Sequence, residues 1–415
     1  MIEHIATNAE KDCFKLFQHV DNVVEMNQKR VLNAFKKHRI GDYHFQSADG
    51  YGYDDIGRDG LEALYAEIFG GEDALVRPQI VSGTHAISTV LFSLLKPGDE
   101  LLYITGSPYD TLEGVIGKTG NFYGSLKDYH VLYNEVNLKI DGSIDYERIS
   151  QVLNNKTKVI GIQRSKGYAD RPSFTIEDIK EMVHFVKQIK SDVIVFVDNC
   201  YGEFVEIKEP LHVGADIIAG SLIKNPGGGI VRSGGYIVGH KELVLKAANR
   251  LTAPGLGKEA GATLDTLQEM YQGLFLAPHV VGQALKGAIF TARFLELVGF
   301  KTTPNYKDNR TDLIQSVIFQ DKEQMIAFCQ AIQENSPINS FVQPQPSEMP
   351  GYEDEVIMAA GTFIQGSSIE LSADGPIREP YIAFVQGGLT YAHVKIAVVQ
   401  SIKKLQNINM LPINK

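Results

Sequence analysis

The feature that most constrains the fold is a series of short, nearly uninterrupted apolar runs separated by helical patterns. The apolar runs lie at 101–105, 131–136, 158–163, 193–198, 216–219 and 235–238. Helical patterns lie between several of them, for example at 176–190 and after Ser82. Strands that are apolar on both faces and alternate with helices form mostly parallel sheets covered by helices on both sides. We therefore expect an α/β fold that binds its ligand at the carboxyl ends of the strands.

The two ends of the chain lack this alternation. Residues 10–38 have the apolar spacing of an amphipathic helix, and residues 42–60, rich in Gly, Asp and Tyr, predict an irregular segment. Beyond residue 276 the patterns predict a helix at about 279–298, strands near 313–319, 355–364 and 381–386, and a last helix at 391–405. We expect an N-terminal helix and arm at 1–50, a large domain at 51–275 and a smaller α+β domain at 276–415.

Composition excludes several classes of function. Of the 415 residues, 50 are acidic and 40 are basic, and a net charge of −10 disfavours nucleic-acid binding but allows a local basic pocket for a small anion. The three cysteines form no CxxC pair and the histidines lack metal-ligand spacing, so we predict no metal. No apolar run approaches the roughly 18 residues of a membrane span, and the first residues lack signal-peptide features. We expect a cytoplasmic protein that binds no membrane.

The first local signal lies at Ser82, Gly83 and Thr84, which precede an apolar stripe of helical spacing. Small residues let the backbone approach a ligand closely, and the first turn of a helix offers unpaired N–H groups to an anion. The pattern predicts either a cup for a phosphate group or an ordinary helix that begins with a serine cap.

Two further signals follow the apolar runs. Asp198 ends one run, where its carboxylate can pair with a protonated ring nitrogen or a metal, or can cap a loop. Lys224 lies in a glycine-rich turn directly after the next run, with Ser221 one helical turn before it. A desolvated lysine with a lowered pKa is a nucleophile toward carbonyl groups, whereas the alternative is a flexible surface loop. A Ser-x-x-Lys acyl-transfer site is disfavoured because its Ser-Asp-Asn partner motif is absent.

Taken in order, the anion cup, the acid at a strand end and the lysine resemble the aspartate aminotransferase fold (fold type I) of pyridoxal-phosphate enzymes. This resemblance implies that Lys224 forms a Schiff base with pyridoxal 5'-phosphate and that Asp198 pairs with its pyridinium nitrogen. It also implies that Ser82, Gly83 and Thr84 hold the phosphate and that Ser221 is a further cofactor-binding residue.

The resemblance narrows to the cystathionine γ-synthase-like family. The segment 51–58 is similar to one that crosses a dimer interface there, which implies that Tyr53 and Arg58 touch a partner's phosphate. Tyr109, in Ser-Pro-Tyr, resembles the tyrosine that stacks on the cofactor ring, and Tyr201 follows Asp198 closely enough to reach the cofactor's phenolic oxygen. Closer similarity, over nearly the whole chain, is to the bacterial aluminium-resistance or methionine γ-lyase-like proteins. The segments that carry it are 50–60, 82–86, 164–168, 198–201, 221–229, 251–255 and 371–378.

This resemblance implies a carbon–sulfur lyase that acts on an amino acid by β- or γ-elimination. It implies a homo-oligomer, a dimer with shared active sites that pairs into a tetramer. Within enzymes, the alternatives are an aminotransferase or an aldolase-type enzyme. Outside them, the alternative is a non-catalytic stress-response protein that retains the cofactor. Lys224, Tyr109 and Asp198 are the predicted catalytic residues.

The chain departs from the better-known sulfur-amino-acid lyases in two places. Their loop after the fourth strand carries an Asn-Pro pair, whereas this chain has Arg164, Lys166 and Arg171 in that region. Their late strand carries an arginine for the substrate carboxylate, but residues 381–388 contain none. We expect Arg378, aimed by a turn at 374–376, to bind the α-carboxylate, with Arg164 and Arg171 as competing candidates.

Overall fold

The computed structural model describes residues 1–120, 123–349 and 352–412. The strands of its larger sheet are β1 (Asp73–Arg77), β2 (Glu100–Tyr103), β3 (Leu132–Glu135), β4 (Thr157–Gln163), β5 (Ile194–Asp198), β6 (Ile217–Ser221) and β7 (Gly235–Gly239). In space their order is β1-β7-β6-β5-β4-β2-β3. Strands β2 to β6 run parallel, whereas β7 is antiparallel to both of its neighbours. The predicted α/β fold with a mostly parallel sheet is therefore confirmed.

Ten α-helices accompany the sheets in the described ranges. They are α1 (Ile2–Lys37), α2 (Ile56–Phe69), α3 (Gly83–Leu94), α4 (Asp110–Ile116), α5 (Tyr146–Val152), α6 (Ile176–Ile189), α7 (Lys241–Leu251), α8 (Leu267–Val298), α9 (Lys322–Glu334) and α10 (Tyr391–Asn407). Successive strand residues face opposite sides of the sheet. Accordingly, Ala74 and Val76 pack in one core with α2 and α6, whereas Leu75 packs in another with α3 and α7. Helices therefore cover both faces.

A second, smaller sheet follows α8. Its strands are β8 (Lys301–Thr303), β9 (Gln315–Ile318), β10 (Val356–Ala359), β11 (Ser372–Pro376) and β12 (Ile382–Gln386). Their order is β10-β11-β12-β9-β8, and every adjacent pair is antiparallel. Helices α9 and α10 pack on this sheet in a core of their own, which also includes the first residues of α1.

The long helix α8 connects the two sheets, and α1 packs along it. Gly282 makes a close approach possible, because a Cβ there would lie 2.3 Å from a methyl carbon of Val24. Salt bridges Lys286–Asp21 (2.6 Å) and Arg293–Asp12 (2.6 Å) flank this contact. Among the described residues, α8 alone is long and apolar enough to cross a membrane, but 72% of its apolar window is buried inside the protein. That burial is typical of a core helix.

Three details differ from the sequence-based expectations. The stretch 374–376 is not a turn but part of the central strand β11, because Asp374 pairs with both β10 and β12. Gly375 permits this pairing, since a Cβ there would lie 2.4 Å from the carbonyl oxygen of Ile382. The irregular segment 42–60 ends early, because α2 begins at Ile56 with Asp55 as its cap. The expected boundary near 275 falls inside α8, and the division into domains stays a prediction.

Candidate active site

A cavity of about 390 Å³ lies at the carboxyl ends of β4, β5 and β6, the edge of the sheet where a ligand site was expected. Residues from five separate segments of the large sheet's region meet there. The predicted residues that line it are Ser82, Gly83, Thr84, Tyr109, Asp198, Tyr201, Ser221, Lys224 and Arg378. The structure therefore brings together most of the side chains that the sequence singled out, whereas their individual roles stay predictions.

Lys224 is held in the cavity by a tight turn after β6. Gly227 makes this turn possible, because a Cβ there would lie 1.8 Å from the carbonyl oxygen of Leu222. The Lys224 Nζ lies 4.0 Å from the centre of the Tyr201 ring, in a cation–π contact. The glycine-rich segment is therefore a shaped turn that presents the amine to the cavity.

The ionisation of Lys224 differs from the sequence-based expectation. Burial alone would lower the pKa of its amine, but Cys200, Tyr201 and Asp198 outweigh burial and raise that pKa well above its ordinary value. The expected lowered pKa is therefore wrong for this arrangement of side chains. Lys224 holds a proton that it must lose before it attacks a carbonyl carbon.

Asp198 is the last residue of β5, and its carboxyl group is buried. The backbone N–H of Cys200 donates a hydrogen bond to its Oδ1 at 3.1 Å. Burial raises the pKa of Asp198, while Lys224 and the Cys200 N–H partly offset that rise. A buried carboxylate at the edge of a cavity is suited to hold a protonated nitrogen of a ligand.

The first turn of α3 forms the other end of the cavity. The Ser82 Oγ accepts a hydrogen bond from the His85 N–H at 3.0 Å, so Ser82 does cap the helix as one of the two alternatives proposed. Gly83 packs closely beneath the cavity, because a Cβ there would lie 3.4 Å from both the Cys200 Sγ and the Ser221 Cβ. The helix N-terminus therefore lies against the ends of β5 and β6, where its N–H groups can receive an anion.

Tyr109 forms a side wall of the cavity. Its hydroxyl shares a hydrogen bond with the Thr84 Oγ1 at 2.9 Å, and its backbone N–H donates to the Gln163 Oε1 at 2.7 Å. Burial, with Asp198 as the next contribution, raises the pKa of its phenol. The ring is thus fixed from two directions as a neutral aromatic surface.

Arg164 and Arg171 do not line this cavity in the described parts of the chain. The Arg164 guanidinium is fully buried in a separate polar cluster, where it donates to Asn199, Thr311 and Glu206. Arg171 donates to backbone carbonyl oxygens, including that of Ser165 at 2.7 Å, and burial lowers its pKa to about 10. Both guanidinium groups donate hydrogen bonds within the fold and neither lines the cavity, so the structure does not bring these two candidates to the other predicted site residues.

Arg378 lies at the mouth of the cavity. Its side chain is 47% exposed, and its Nη1 forms a salt bridge with the Asp354 Oδ2 at 2.9 Å. Of the three candidate arginines, Arg378 is the one that lines the cavity in the described parts of the chain, and its role stays a prediction.

Tyr53 and Arg58 lie outside the cavity of their own chain. Tyr53 is 56% exposed and stacks on Tyr51, with 5.3 Å between the ring centres. Arg58 is buried in the first turn of α2, where it donates to the carbonyl oxygens of Gly52 and Gly261. It is therefore part of a helix rather than of a free arm.

Lys166, which was not among the predicted site residues, lines the cavity beside Gly167 and Tyr168. The sequence signal that could have identified it is the basic character of the loop after β4. Within that loop, however, the two arginines were proposed as the substrate-binding residues. Spacing alone does not tell which basic residue of one short loop faces the ligand.

The residues of the cavity fit pyridoxal 5'-phosphate. They supply an amine for its aldehyde, a buried carboxylate for its ring nitrogen, a helix N-terminus for its phosphate and an aromatic wall for its ring. The solved structure of the pyridoxal-5'-phosphate-dependent protein YhfS from Escherichia coli has the same fold, with 16% identity, 92% of this chain and 97% of that one covered, and a TM-score of 0.63. Fold and cavity together define a fold type I pyridoxal-phosphate enzyme, as predicted.

The family is defined more narrowly. The chain belongs to the methionine gamma-lyase family, whose model matches residues 2–406. A Listeria monocytogenes protein, described as a candidate cystathionine beta-lyase involved in aluminum resistance, is 61% identical over 97% of this chain and 99% of that one, with a TM-score of 0.95. A carbon-sulfur lyase involved in aluminum resistance from Clostridium novyi is 51% identical over 97% and 96%, with a TM-score of 0.94. The predicted family and the predicted class, a pyridoxal-phosphate-dependent lyase, are confirmed.

Proposed function

We propose that this enzyme cleaves the carbon–sulfur bond of an amino acid by β- or γ-elimination and releases a thiol, ammonia and a keto acid. The observation that carries the proposal is the meeting of Lys224, Asp198 and the first turn of α3 in one cavity. The names of the Clostridium novyi and Listeria monocytogenes relatives support the same chemistry.

Each side chain of the cavity has a task in this proposal. Pyridoxal 5'-phosphate, when bound, supplies an electron sink for the carbanion at the substrate Cα. Lys224 would hold the cofactor, take the proton from Cα and return a proton to the leaving sulfur. Asp198 would hold the proton of the ring nitrogen, and Tyr109 would cover the ring face. Tyr201 would contact the phenolic oxygen.

The phosphate and the substrate carboxylate need separate sites. Ser82, Gly83, Thr84 and Ser221 would hold the phosphate, because the N–H groups of the first turn of α3 face that end of the cavity. Arg378 would bind the substrate α-carboxylate at the mouth by exchanging its salt bridge with Asp354 for a bidentate pair.

We also propose a homo-oligomer in which a partner completes each site. The exposed Tyr53 and a buried Arg58 Nη2, which has no hydrogen-bond partner among the described residues, support this arrangement. We assign the enzyme to the cytoplasm because Cys13, Cys200 and Cys329 are all unpaired thiols.

Product analysis tests the reaction. The purified holoenzyme is incubated with S-substituted cysteines, methionine and other amino acids, with Lys224→Ala as the control. We expect thiol, ammonia and keto acid in equal amounts from the wild type and none from the variant. A second amino acid as product would replace the proposal with transamination, and an aldehyde would replace it with an aldolase reaction. Intact cofactor with no turnover of any amino acid would favour the non-catalytic alternative.

Subunit complementation tests the shared site. Arg58→Ala and Lys224→Ala protomers are mixed after both have been shown to be inactive. Random pairing makes about half of the dimers hybrids with one intact site each, so about a quarter of the wild-type rate returns. Hybrids verified by mass that stay inactive would show that each site is complete within one chain.

A further inference from the structure

The cavity contains a buried cation that has no partner among the described residues. The Lys166 side chain is 2% exposed, and its Nζ has no hydrogen-bond or salt-bridge partner in the parts of the chain that the structure describes. Burying an unpaired ammonium group is costly, so such groups normally have a carboxylate or several acceptors around them. An amine that is held beside a cavity in this state indicates a place for a ligand anion.

The loop that carries Lys166 is held in place by its backbone. The Lys166 N–H donates to the Ser173 Oγ at 2.9 Å. Gly167, with φ at +57°, adopts the left-handed conformation that lets the chain turn directly after Lys166. These contacts hold the loop backbone at the position from which Lys166 lines the cavity.

The acid that influences Lys166 most is already occupied. Asp312 raises the Lys166 pKa, but burial outweighs it and lowers that pKa overall. The Asp312 Oδ2 accepts hydrogen bonds from Ser165 (2.7 Å) and Ser173, and its Oδ1 accepts one from the Ile314 N–H at 3.0 Å. Because these bonds occupy Asp312, no group in the described part of the chain takes up the Lys166 amine, and a ligand can do so.

The other two cationic side chains of the cavity, by contrast, have partners. Arg378 is paired with Asp354, and Lys224 lies over the Tyr201 ring. The phosphate cup lies against β6, because Gly83 packs on Ser221, whereas Lys166 follows β4. Strand β5 separates β6 from β4, which places about 10 Å between the two strands. Lys166 is thus set apart from the cup.

We propose that Lys166 binds an anionic group on the substrate side chain, so that the preferred substrates are amino acids whose sulfur substituent carries a carboxylate. This inference rests on the carbon–sulfur lyase function proposed above. Arg378 takes the α-carboxylate, and Lys166 takes the second carboxylate, which supplies the missing partner of its buried charge.

S-carboxymethyl-L-cysteine is a probe of this class. The Cα proton passes to Lys224, and the Cβ–S bond breaks with its electron pair remaining on sulfur. The sulfur takes up a proton and leaves as mercaptoacetate. The three-carbon remainder takes up one water and gives pyruvate and ammonia, so atoms and charges balance without an oxidant or a reductant.

The kinetic test compares S-carboxymethyl-L-cysteine with its uncharged amide, S-carbamoylmethyl-L-cysteine. We expect wild-type kcat/KM to favour the carboxylate at least about tenfold, since a charged hydrogen bond is lost with the amide. Lys166→Met should lower kcat/KM about ten- to a hundredfold for the carboxylate alone, and Lys166→Arg should restore part of it. Lys139→Met, at an exposed lysine, is the matched control and should leave kcat/KM for both substrates unchanged.

The binding test needs no turnover. In 2-aminoadipate a methylene replaces the sulfur of the probe, and its binding to the wild-type and Lys166→Met holoenzymes is measured by titration calorimetry. We expect weaker binding to Lys166→Met, with cofactor content unchanged. An equal loss of kcat/KM for the carboxylate and the amide probe, or a loss of bound cofactor, would overturn the inference, because Lys166 would then act on the cofactor or the fold.

The two proposals fail in different ways. Thiol release that is equal from both probes and unaffected by Lys166→Met refutes the anion site and leaves the lyase function intact. Binding of 2-aminoadipate that depends on Lys166, with no thiol released from any substrate, supports the anion site and refutes the lyase function.

Discussion

Arg164 and Lys166 are two basic residues of one short loop, equally buried but differently surrounded. The Arg164 side chain is fully buried and contacts Asn199, Thr311 and two glutamates, whereas the Lys166 amine has no partner among the described residues. A buried charge with a complete set of partners ties parts of the fold together. A buried charge without partners, beside a cavity, indicates a ligand. The partners of a buried charge, more than its burial, therefore separate structure from function here.

The same contrast distinguishes the two polar clusters. The cluster around Arg164 joins the loops after β4 and β5 to Thr311, next to the small sheet, and Arg164 reaches each partner in it within 3.6 Å. In the cavity, by contrast, the Lys166 amine has no partner in the described ranges, and the Lys224 amine contacts an aromatic ring. Variants in the first cluster should change stability, and variants in the second should change activity.

The largest effect should come from Lys224. Lys224→Ala should lower turnover by at least about a thousandfold, since the amine serves both as cofactor anchor and as proton carrier. The free energy of unfolding should stay close to that of wild type. Steady-state rates, the aldimine absorbance and denaturant unfolding check this, with the exposed Lys96→Ala as the control. A variant that keeps its aldimine absorbance and its rate would move the cofactor to another lysine.

Arg164→Met tests the other side of the comparison. Removing the guanidinium leaves Glu209, which is fully buried, without one of its two arginine partners, so the free energy of unfolding should fall by about 3–5 kcal/mol. Denaturant unfolding measures this fall, and the exposed Arg148→Met should change stability by at most about 0.5 kcal/mol. Unchanged stability together with a raised KM would mean that Arg164 binds substrate after all.

Glu203 shows a third way to bury an ionisable residue, which is to keep its carboxyl group protonated and therefore uncharged. Burial raises the pKa of Glu203 to about 8, and the Tyr236 hydroxyl donates to its Oε1 at 2.8 Å. Between about pH 4.5 and pH 8 the folded state holds this proton and the unfolded chain does not, so the free energy of unfolding falls as pH rises through that window.

Glu203→Gln cannot ionise and lacks this dependence on pH. Its stability relative to wild type should therefore increase by up to a few kcal/mol from pH 5 to pH 8, as measured by denaturant unfolding at both pH values. Glu177→Gln, at an exposed glutamate, provides the control. Parallel pH profiles for wild type and Glu203→Gln would show that Glu203 is ionised in the folded protein.

The smallest expected effect concerns Arg378, the exposed cation at the mouth. Arg378→Ala should lower kcat/KM about ten- to a hundredfold, and Arg378→Lys by less, because a bidentate pair with the α-carboxylate is lost. Cofactor content should not change, since the phosphate is held elsewhere. Near-normal efficiency of both variants on the identified substrate would remove Arg378 from the site and leave the α-carboxylate to Lys166.

Local sequence patterns predicted much of the large sheet. Strands β2 and β4 to β7 are almost wholly buried, and burial on both faces requires a continuous apolar run. Each of them, and the partly exposed edge strand β3, was anticipated to within about two residues. Strand β11 was mistaken for a turn, since Asp374, Gly375 and Pro376 are poor strand formers when read alone. Their strand conformation is imposed by pairing with β10 and β12 on either side.

Some features of the candidate site were likewise predictable from the sequence, and others were not. The sequence by itself was enough to predict that the cup, the acid and the lysine meet. Each follows a strand, and a parallel sheet brings the carboxyl ends of its strands to one edge whatever the intervening loops contain. Only the tertiary structure decided which basic residue after β4 faces the cavity. Arg164 and Lys166 lie two positions apart, and the choice depends on Asn199, Glu206 and Thr311, which are distant in sequence. Contacts of that kind exist only after the chain has folded, so no local pattern records them.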